Sequence, residues 1–159
     1  MSRIEERLAA LGLELPTPPT PIANFLPFRV QGELVFLAGQ VNELNGTVPY
    51  IGKLGREFSL KEGKKAAQLC ALNLLACLKL ACDGDLDQVR NCVRVGGFVN
   101  CVPEYEEVPM VINGASDLFV AVLGNAGLHA RTAVGVASLP RRAAVEVEAV
   151  FSFYKDTAH

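Results

Sequence analysis

Residues 130–140 read Ala-Arg-Thr-Ala-Val-Gly-Val-Ala-Ser-Leu-Pro, and residues 145–150 read Val-Glu-Val-Glu-Ala-Val. Both segments alternate in polarity with a period of two, which predicts two β-strands joined by a Leu-Pro turn. Each strand carries a charge where a sheet core is mostly apolar, namely Arg131 and Glu146. Because a guanidinium binds a carboxylate through two parallel hydrogen bonds and a glutamate can handle a proton or position a water, the pair indicates a site for a carboxylate-bearing molecule.

The composition predicts one well-packed domain. The chain has 159 residues, of which 50% are hydrophobic and 20% are charged, and this balance excludes disorder and suits a protein that buries surface in an oligomer. The net charge of −2 argues against a nucleic-acid-binding surface. The charged N-terminus carries no secretory signal, and Asn73 and Lys79 interrupt the longest apolar run, so we expect a cytoplasmic protein without a membrane span.

The cysteines are expected to be small core residues in a reducing compartment. None of the five forms a Cys-x-x-Cys pair, and Cys70 and Cys77 recur with the spacing of one helix face. Only two histidines are present, His129 and His159, so no metal site is expected.

The first third of the chain predicts a short amphipathic helix at residues 2–13, a stiff proline-rich arm at 16–21 and a β-strand at 34–41. Asn45-Gly46 is a strong hairpin signal, which makes residues 48–54 the expected returning strand. We therefore divide the chain into a helix and arm at 1–23 and a domain at 24–159.

The remainder alternates helices and strands. Ser59 and Glu62 form a capping box before a long helix that ends at Asp83-Gly84-Asp85, residues 87–100 hold a strand with a bulge at Gly96-Gly97, and residues 103–124 form a second helix. The order β-β-α-β-α-β-β predicts an α+β fold in which both helices cover one face of the sheet. The other face is expected to carry apolar side chains, and oligomerisation would cover it; those side chains include Val134, Val136, Val145 and Val147.

Several blocks of residues 24–155 resemble the reactive intermediate (enamine/imine) deaminases, also called the YjgF-like or L-PSP endoribonuclease family. The most specific block joins Ala130-Arg131 through Leu139-Pro140 to the Val-Glu-Val-Glu-Ala at 145–149. Supporting blocks are the Phe-Leu-Ala-Gly-Gln-Val at 36–41, the helix after Ser59 and the Leu-Asp-Gln-Val at 86–89. The residues around Asn113 and His129 resemble a less-studied subgroup.

The resemblance implies a chorismate-mutase-like fold, a homotrimer with a central barrel, and clefts between subunits. In such a site Arg131 would bind the substrate carboxylate and Glu146 would hold the hydrolytic water. The backbone of Ala38, Gly39 and Gln40 would line the pocket, and Asn113 would stand near the family's asparagine. The implied reaction is hydrolysis of small 2-enamine or 2-imine acids to 2-keto acids and ammonia, and it requires no metal or organic cofactor.

The chain departs from the family pattern at three positions. Ala38 replaces a serine, Ala133 replaces a frequent cysteine, and Phe28 is nearest to a pocket tyrosine. Because these side chains differ from the family pattern, a second hypothesis stays open, in which the protein is a non-catalytic trimer that binds keto acids as a regulator. An endoribonuclease or translation inhibitor is the third alternative, against which the acidic charge balance and the lack of a paired-histidine site argue.

Some polar residues have simpler interpretations. Arg131 could form an ion pair with Glu146 at a subunit interface, and Glu148 is expected to be structural or solvated. His129 could edge the pocket, although a lone histidine near a loop is more often a structural hydrogen-bonding residue. Arg141-Arg142 and Asp117 are interpreted as solvated.

Overall fold

The computed structural model describes residues 1–21 and 23–154, so His159 and the end of the 24–159 domain lie outside the described residues. The helices and strands are α1 (Arg3–Ala10), β1 (Phe28–Gln31), β2 (Leu34–Val41), α2 (Leu60–Ala81), β3 (Val89–Asn100), α3 (Val108–Leu123), β4 (Ala130–Val136) and β5 (Val145–Phe153). After α1 the order is β-β-α-β-α-β-β, and the strands form one sheet in the order β1-β2-β5-β3-β4. The predicted α+β architecture is confirmed.

The first hairpin lies one strand earlier than predicted. β1 and β2 pair antiparallel across a two-residue turn at Gly32-Glu33, where Gly32 has a φ of +61°. Residues 48–54 form no strand, because Tyr50 and Gly52 take φ values of +61° and +139° that an extended chain does not allow. The buried Asn42 side chain instead forms hydrogen bonds with backbone groups of this loop and of β5. It donates to the Pro49 and Tyr50 carbonyls and accepts from the Val145 amide.

The two strands that flank the Leu-Pro turn are not neighbours in the sheet. β4 pairs parallel with β3 at the edge, whereas β5 lies between β2 and β3 and is antiparallel to both. A short 3₁₀ turn at Pro140–Arg142, with positive φ at Arg141 and Arg142, reverses the chain so that it passes over β3. The two predicted strands are confirmed, but they are not paired with each other and therefore do not form a hairpin.

Both helices pack on the same face of the sheet, and two glycines permit the close approach. A Cβ at Gly97 would lie 2.5 Å from Ile112 of α3, and a Cβ at Gly114 would lie 2.1 Å from the Lys64 carbonyl oxygen of α2. The predicted bulge at Gly96-Gly97 is therefore wrong: β3 runs straight through, and its irregularities lie at residues 89–91 and 92–94. Gly97 and Gly114 are therefore explained by close packing and not by a bend in the chain.

The open face of the sheet differs from the prediction in two residues. Val145 and Val147 are fully buried beneath the helices, because the alternation of β5 places Glu146 and Glu148 on the opposite face. Val134 does lie on the open face, together with the half-exposed Phe36. The face that remains uncovered in one chain is thus mixed, with apolar side chains around two carboxylates.

The N-terminal helix α1 is anchored in the same core as the sheet and the other helices. Ile4 and Leu8 are buried, Arg7 donates to the Val122 carbonyl at 2.8 Å, and Glu5 pairs with Lys79 of α2. The capping box formed by Ser2 and Glu5 begins the helix.

Leu8→Ala is expected to lower the free energy of unfolding by about 2–4 kcal/mol, because it leaves a cavity at a side chain that is only 1% exposed. Urea denaturation followed by circular dichroism measures the change. Leu11→Ala is the matched control in the same segment, since Leu11 is 53% exposed, and it should change stability by less than about 0.5 kcal/mol. Equal effects of the two substitutions would show that α1 does not pack as described.

One helical segment is long and apolar enough to cross a membrane by composition alone. Val108–Gly127 has a mean hydropathy of 1.3. Its apolar side, which includes Ile112, Ala115 and Phe119, is fully buried against α2 and the sheet. The burial of this side explains its apolar composition, because α3 is a helix of the protein core.

Candidate functional site

Arg131 lies on the edge strand β4 and its guanidinium reaches back over α3. Nη1 donates to Asn113 Oδ1 at 2.8 Å and to Ser116 Oγ at 3.2 Å, and Nη2 donates to the Pro109 carbonyl at 3.2 Å. The structure therefore brings together Arg131 and Asn113, two residues that the sequence placed in the site. All three acceptors are neutral, so they orient the guanidinium without cancelling its charge.

His129 supports Arg131 indirectly, through Ser116. Its Nδ1 lies 2.6 Å from the Gly127 carbonyl oxygen, which can only accept, so Nδ1 carries the proton. Nε2 lies 2.9 Å from Ser116 Oγ, and in the neutral ring it accepts a hydrogen bond from that hydroxyl, which leaves the oxygen lone pairs for Arg131. The histidine ring also packs edge-on against Phe119. His129 is thus a positioning residue, in agreement with the structural interpretation of a lone histidine.

No carboxylate pairs with Arg131 in the described part of the chain; five other cations have acidic partners there, and several, such as Arg94 and Arg142, likewise have none. What distinguishes Arg131 is that three neutral acceptors hold its guanidinium. Unpaired, half-buried and held in a fixed orientation, this arginine retains N–H groups for an external acceptor. Such a group is suited to bind the carboxylate of a ligand.

Glu146 lies on the open face of the sheet, next to the bulge in β2. A Cβ at Gly39 would lie 3.1 Å from both Cδ and Oε1 of Glu146, so a larger residue there would require the carboxylate to shift by a few tenths of an ångström. Burial raises the pKa of Glu146 above its ordinary value, and the neighbouring Glu148 carboxylate raises it further. A carboxylate of raised pKa is the stronger base once it is ionised, which suits proton transfer.

A cleft of about 370 Å³ opens beside Glu146. Gly39, Gln40 and Val41 of β2 line this cleft. Residues 19–21 of the proline-rich arm also line it, together with Ala23 and Phe25, which follow the arm. Arg141 completes the rim, where it is paired with Glu43. Arg141 lies in an exposed turn, as predicted, and its side chain is in addition held at the edge of the cleft by Glu43.

The remaining residues of the predicted pocket have divided roles. Gln40 contributes only backbone, since its buried side chain points to Cys77 among the helices. Ala38 offers no side-chain donor, but its amide bonds to the Pro27 carbonyl at 3.0 Å. Ala133 and Gly135 share the face of Arg131; Ala133 packs against the core, and a Cβ at Gly135 would lie 2.8 Å from Cys101 Sγ.

Arg131 and Glu146 do not meet within one chain. Arg131 pairs with Val95 on the helix-covered face, whereas Glu146 pairs with Phe98 on the open face, two strands away. With strands about 4.8 Å apart and about 3.3 Å per residue, their Cα atoms are roughly 14 Å apart. An ion pair between them inside one protomer is therefore excluded, and only a second copy could bring the two side chains to one ligand.

The five cysteines are unpaired, and four of them are buried. Burial raises the pKa of Cys77 and Cys82 to about 11 and that of Cys92 to about 12, so these thiols are poor nucleophiles. No group of three potential metal ligands exists within residues 1–21 and 23–154. Asp117 is exposed on α3, as predicted.

Sequence reasoning missed Ser116 and Phe25. Ser116 lies one helical turn after Asn113, a spacing that places both side chains on one face of α3, and this signal was available. Phe25 follows the proline-rich arm by a few residues, but nothing in the sequence indicates that the arm folds back to Glu146.

Comparison with known proteins assigns the family. The model described as "YjgF/chorismate_mutase-like, putative endoribonuclease" matches residues 5–151. Protein TCP17 of Trypanosoma cruzi is 40% identical over 151 residues, which cover 93% of this chain and 92% of that protein. The chain belongs to the YjgF/chorismate-mutase-like family, and the resemblance stated from the sequence is confirmed.

Solved structures place it within that family. The protein Atu1372 of Agrobacterium tumefaciens, of unknown function, is 43% identical with a TM-score of 0.91 over 96% of this chain and 93% of its own. A putative endoribonuclease of Shewanella oneidensis is 33% identical, also with a TM-score of 0.91, over 94% and 99%. RidA of Psychrobacter, at 24% identity and a TM-score of 0.56 over 86% and 94%, shares the fold alone. This pattern is consistent with the predicted less-studied subgroup.

Proposed function

We propose that this protein hydrolyses small reactive 2-imino acids, and their 2-enamine tautomers, to 2-keto acids and ammonia. The observation that carries the proposal is Arg131: a guanidinium oriented by Asn113, Ser116 and Pro109 and lacking a carboxylate partner in residues 1–21 and 23–154. The Glu146 carboxylate with its raised pKa supplies the base. The membership of the family is compatible with this activity, although the relatives' names speak of endoribonucleases and unknown functions.

The proposed site is composite. Because Arg131 and Glu146 lie on opposite faces of one sheet, we propose a cyclic homo-oligomer, a trimer by family resemblance, in which Arg131 of one protomer faces the Glu146 cleft of its neighbour. The open face, with Phe36, Val134 and the two glutamates, would be covered by this assembly. The proposed partner of the assembly is a small carboxylate-bearing metabolite.

The proposed reaction needs orientation and a base that relays two protons in turn. Arg131 holds the substrate carboxylate and fixes the imine carbon near Glu146, which removes the entropy cost of the encounter. Glu146 takes a proton from water as the water oxygen attacks the imine carbon, and gives it to the imine nitrogen to form a carbinolamine. Glu146 then takes the hydroxyl proton and passes it to that nitrogen as the C–N bond breaks and the C=O bond forms. The products are a 2-keto acid and ammonia, and the atoms balance with water as the second reactant.

The experiment measures ammonia release from 2-imino acids generated in place by a flavin amino-acid oxidase, relative to spontaneous hydrolysis. Acceleration by the wild type that is lost in Arg131→Ala supports the proposal. Binding of 2-keto acids by a folded protein that accelerates no imine would instead assign the non-catalytic carboxylate binder, which the lost serine at Ala38 favours.

Ser116→Ala is expected to raise KM about tenfold with kcat within about twofold of wild type. The substitution removes one acceptor of Arg131 and separates His129 from it, and a hydrogen bond to a charged group contributes about 1.5–3 kcal/mol. A loss confined to KM is typical of weakened binding of an unreacting part of the substrate. Steady-state kinetics measure the split.

Ser116→Thr keeps the hydroxyl and is the matched control, which should restore most of the affinity. If both variants behave alike, the effect comes from packing in α3 and Ser116 does not position Arg131.

A further inference from the structure

A separate cavity of about 250 Å³ lies where α1 packs against the end of α3, the start of β3 and Tyr154 after β5. It shares no lining residue with the cleft beside Glu146. Nor is it lined by Phe36, Val134 or Glu148, which lie with Glu146 on the open face of the sheet. A neighbouring copy seated on the open face therefore need not cover this cavity.

The lining of this cavity is cationic. Its polar side chains are Arg3, Arg7, Asp87, Arg90 and Tyr154, and its apolar ones are Ile4, Leu86, Val89, Val122, Leu123 and Ala126. Three guanidinium groups and one carboxylate give a formal charge of +2, whereas the whole chain has a net charge of −2. The protein is acidic, but this recess attracts anions.

Arg7 is held in this cavity by a neutral acceptor. Its Nη1 donates at 2.8 Å to the Val122 carbonyl in the last turn of α3, where carbonyl groups lack a donor within the helix. No carboxylate pairs with Arg7 within residues 1–21 and 23–154. A guanidinium has five N–H donors, so Arg7 keeps donors for an external acceptor. Arg3 lies one helical turn away, and like charges at this spacing repel unless an anion compensates them.

The carboxylates beside Arg3 and Arg90 are too distant for hydrogen bonds. Asp87 Oδ1 lies 3.7 Å from Arg3 Nε, and Glu33 Oε2 lies 3.7 Å from Arg90 Nη1. Asp87 Oδ1 accepts instead from the backbone amide of Arg3 at 3.0 Å. Arg90 is oriented by the ring of Tyr154, whose centroid lies 5.5 Å from its Cζ. Because exposed ion pairs of this kind contribute little, a stronger acceptor can replace them.

From this geometry we infer that the cavity binds a small dianion, the phosphate group of a phosphorylated metabolite. Three guanidinium groups from α1 and β3 line one recess, and the oxygens of a tetrahedral phosphate point in several directions, whereas those of a carboxylate lie in one plane. Two negative charges match the formal charge of the lining. The volume is below the range of about 300–1,000 Å³ that drug-sized ligands occupy, which suits a small phosphate ester. The inference does not depend on the proposed function.

The test is calorimetry with glycerol 3-phosphate at about 0.15 M salt, where exposed charges are screened beyond about 8 Å. We expect one site per chain with a Kd below about 1 mM, and a Tm that rises with ligand concentration because the ligand binds the folded state. Dimethyl phosphate keeps the tetrahedral shape with a single negative charge, and it should bind at least about tenfold more weakly. Absence of binding at about 10 mM would overturn the inference, and so would tighter binding of succinate, a dicarboxylate.

Arg90→Gln is expected to weaken the binding of glycerol 3-phosphate at least about tenfold, because it removes one of the three charged donors. Arg56→Gln is the matched control. Its side chain is 57% exposed, against 49% for Arg90, and it is likewise paired with a glutamate, but it does not line the cavity. It should leave the Kd within about twofold. Equal losses in the two variants would show a general attraction to positive charge and would overturn the inference.

Two further variants locate the bound phosphate. Arg131→Ala should leave the Kd within about twofold, because Arg131 does not line this cavity. A loss of binding in that variant would place the phosphate at the proposed active site and would overturn the inference. Asp156 follows Tyr154 by two residues in the sequence. If Asp156→Asn tightened binding more than about tenfold, that carboxylate would be the partner of the arginines and the inference would be wrong. Phosphate binding that depends on Arg90 in a protein that hydrolyses no imine would support this site while the proposed function fails.

Discussion

Arg131→Ala is expected to lower kcat/KM for 2-imino acids by about 10²–10³-fold. Removing one partner of a buried, hydrogen-bonded charge pair costs about 2–5 kcal/mol, and each 1.36 kcal/mol corresponds to a factor of ten. No carboxylate within residues 1–21 and 23–154 pairs with the guanidinium, so its charge and its remaining N–H groups are available to the substrate. The measurement is ammonia release under steady-state conditions.

Two comparisons make that result specific. Arg56→Ala removes an exposed arginine that is paired with Glu57, and it should leave kcat/KM within about twofold. Arg131→Lys keeps the charge but loses the planar fork, and we expect an intermediate rate. A fully active Arg131→Ala protein of unchanged stability would contradict the role of Arg131 in binding the carboxylate.

Glu146→Gln is expected to abolish turnover, with kcat lowered by about 10²–10⁴-fold, while the folded protein remains at least as stable as the wild type. Glutamine keeps the shape of the side chain beside Gly39 and removes only the ionisable group. The pKa of Glu146 is raised by burial and by Glu148, so the folded state favours its protonated form. Stability from that preference is present at low pH and is lost as the pH rises through the folded pKa.

At neutral pH the ionised Glu146 therefore opposes folding, and the neutral amide relieves this cost. Thermal unfolding at pH 7 should give a Tm for Glu146→Gln equal to or above that of the wild type, and the gain should vanish in acid. The wild-type rate should fall as the pH is lowered through a value above 4.5, the ordinary pKa of a glutamate. A lower Tm for Glu146→Gln than for the wild type, or a wild-type rate that does not change in this pH range, would show that Glu146 is a structural group.

The sequence predicted the elements better than their arrangement. The capping box at Ser59 and the helical spacing of apolar residues are local signals, and α2 forms as they predict. The first hairpin was misplaced because Asn45-Gly46 is a genuine tight turn that closes only an isolated bridge between Leu44 and Thr47. What prevents a returning strand is the contact of Asn42 with residues far along the chain, which no local pattern contains.

The site was predicted in part for the same reason. Arg131 and Glu146 stood out because a charge interrupts an apolar alternation, and Asn113 and His129 do lie beside Arg131, one in direct contact and the other through Ser116. Their separation on two faces of the sheet could not be foreseen, because it depends on β5 lying between β2 and β3. Alternation fixes the face of a side chain within its own strand, but only the strand order decides which residues share that face.

The composite site between copies is the central claim, and mixed oligomers test it most directly. Arg131→Ala and Glu146→Gln protomers carrying different tags would be co-expressed, and oligomers with both tags would be purified and assayed. In a trimeric ring that carries both tags, one of the three interfaces joins an intact Arg131 to an intact Glu146 of the neighbour. We predict recovery of about a third of the wild-type ammonia release from two variants that are each inactive. No recovery in stable mixed oligomers would contradict a site shared between protomers.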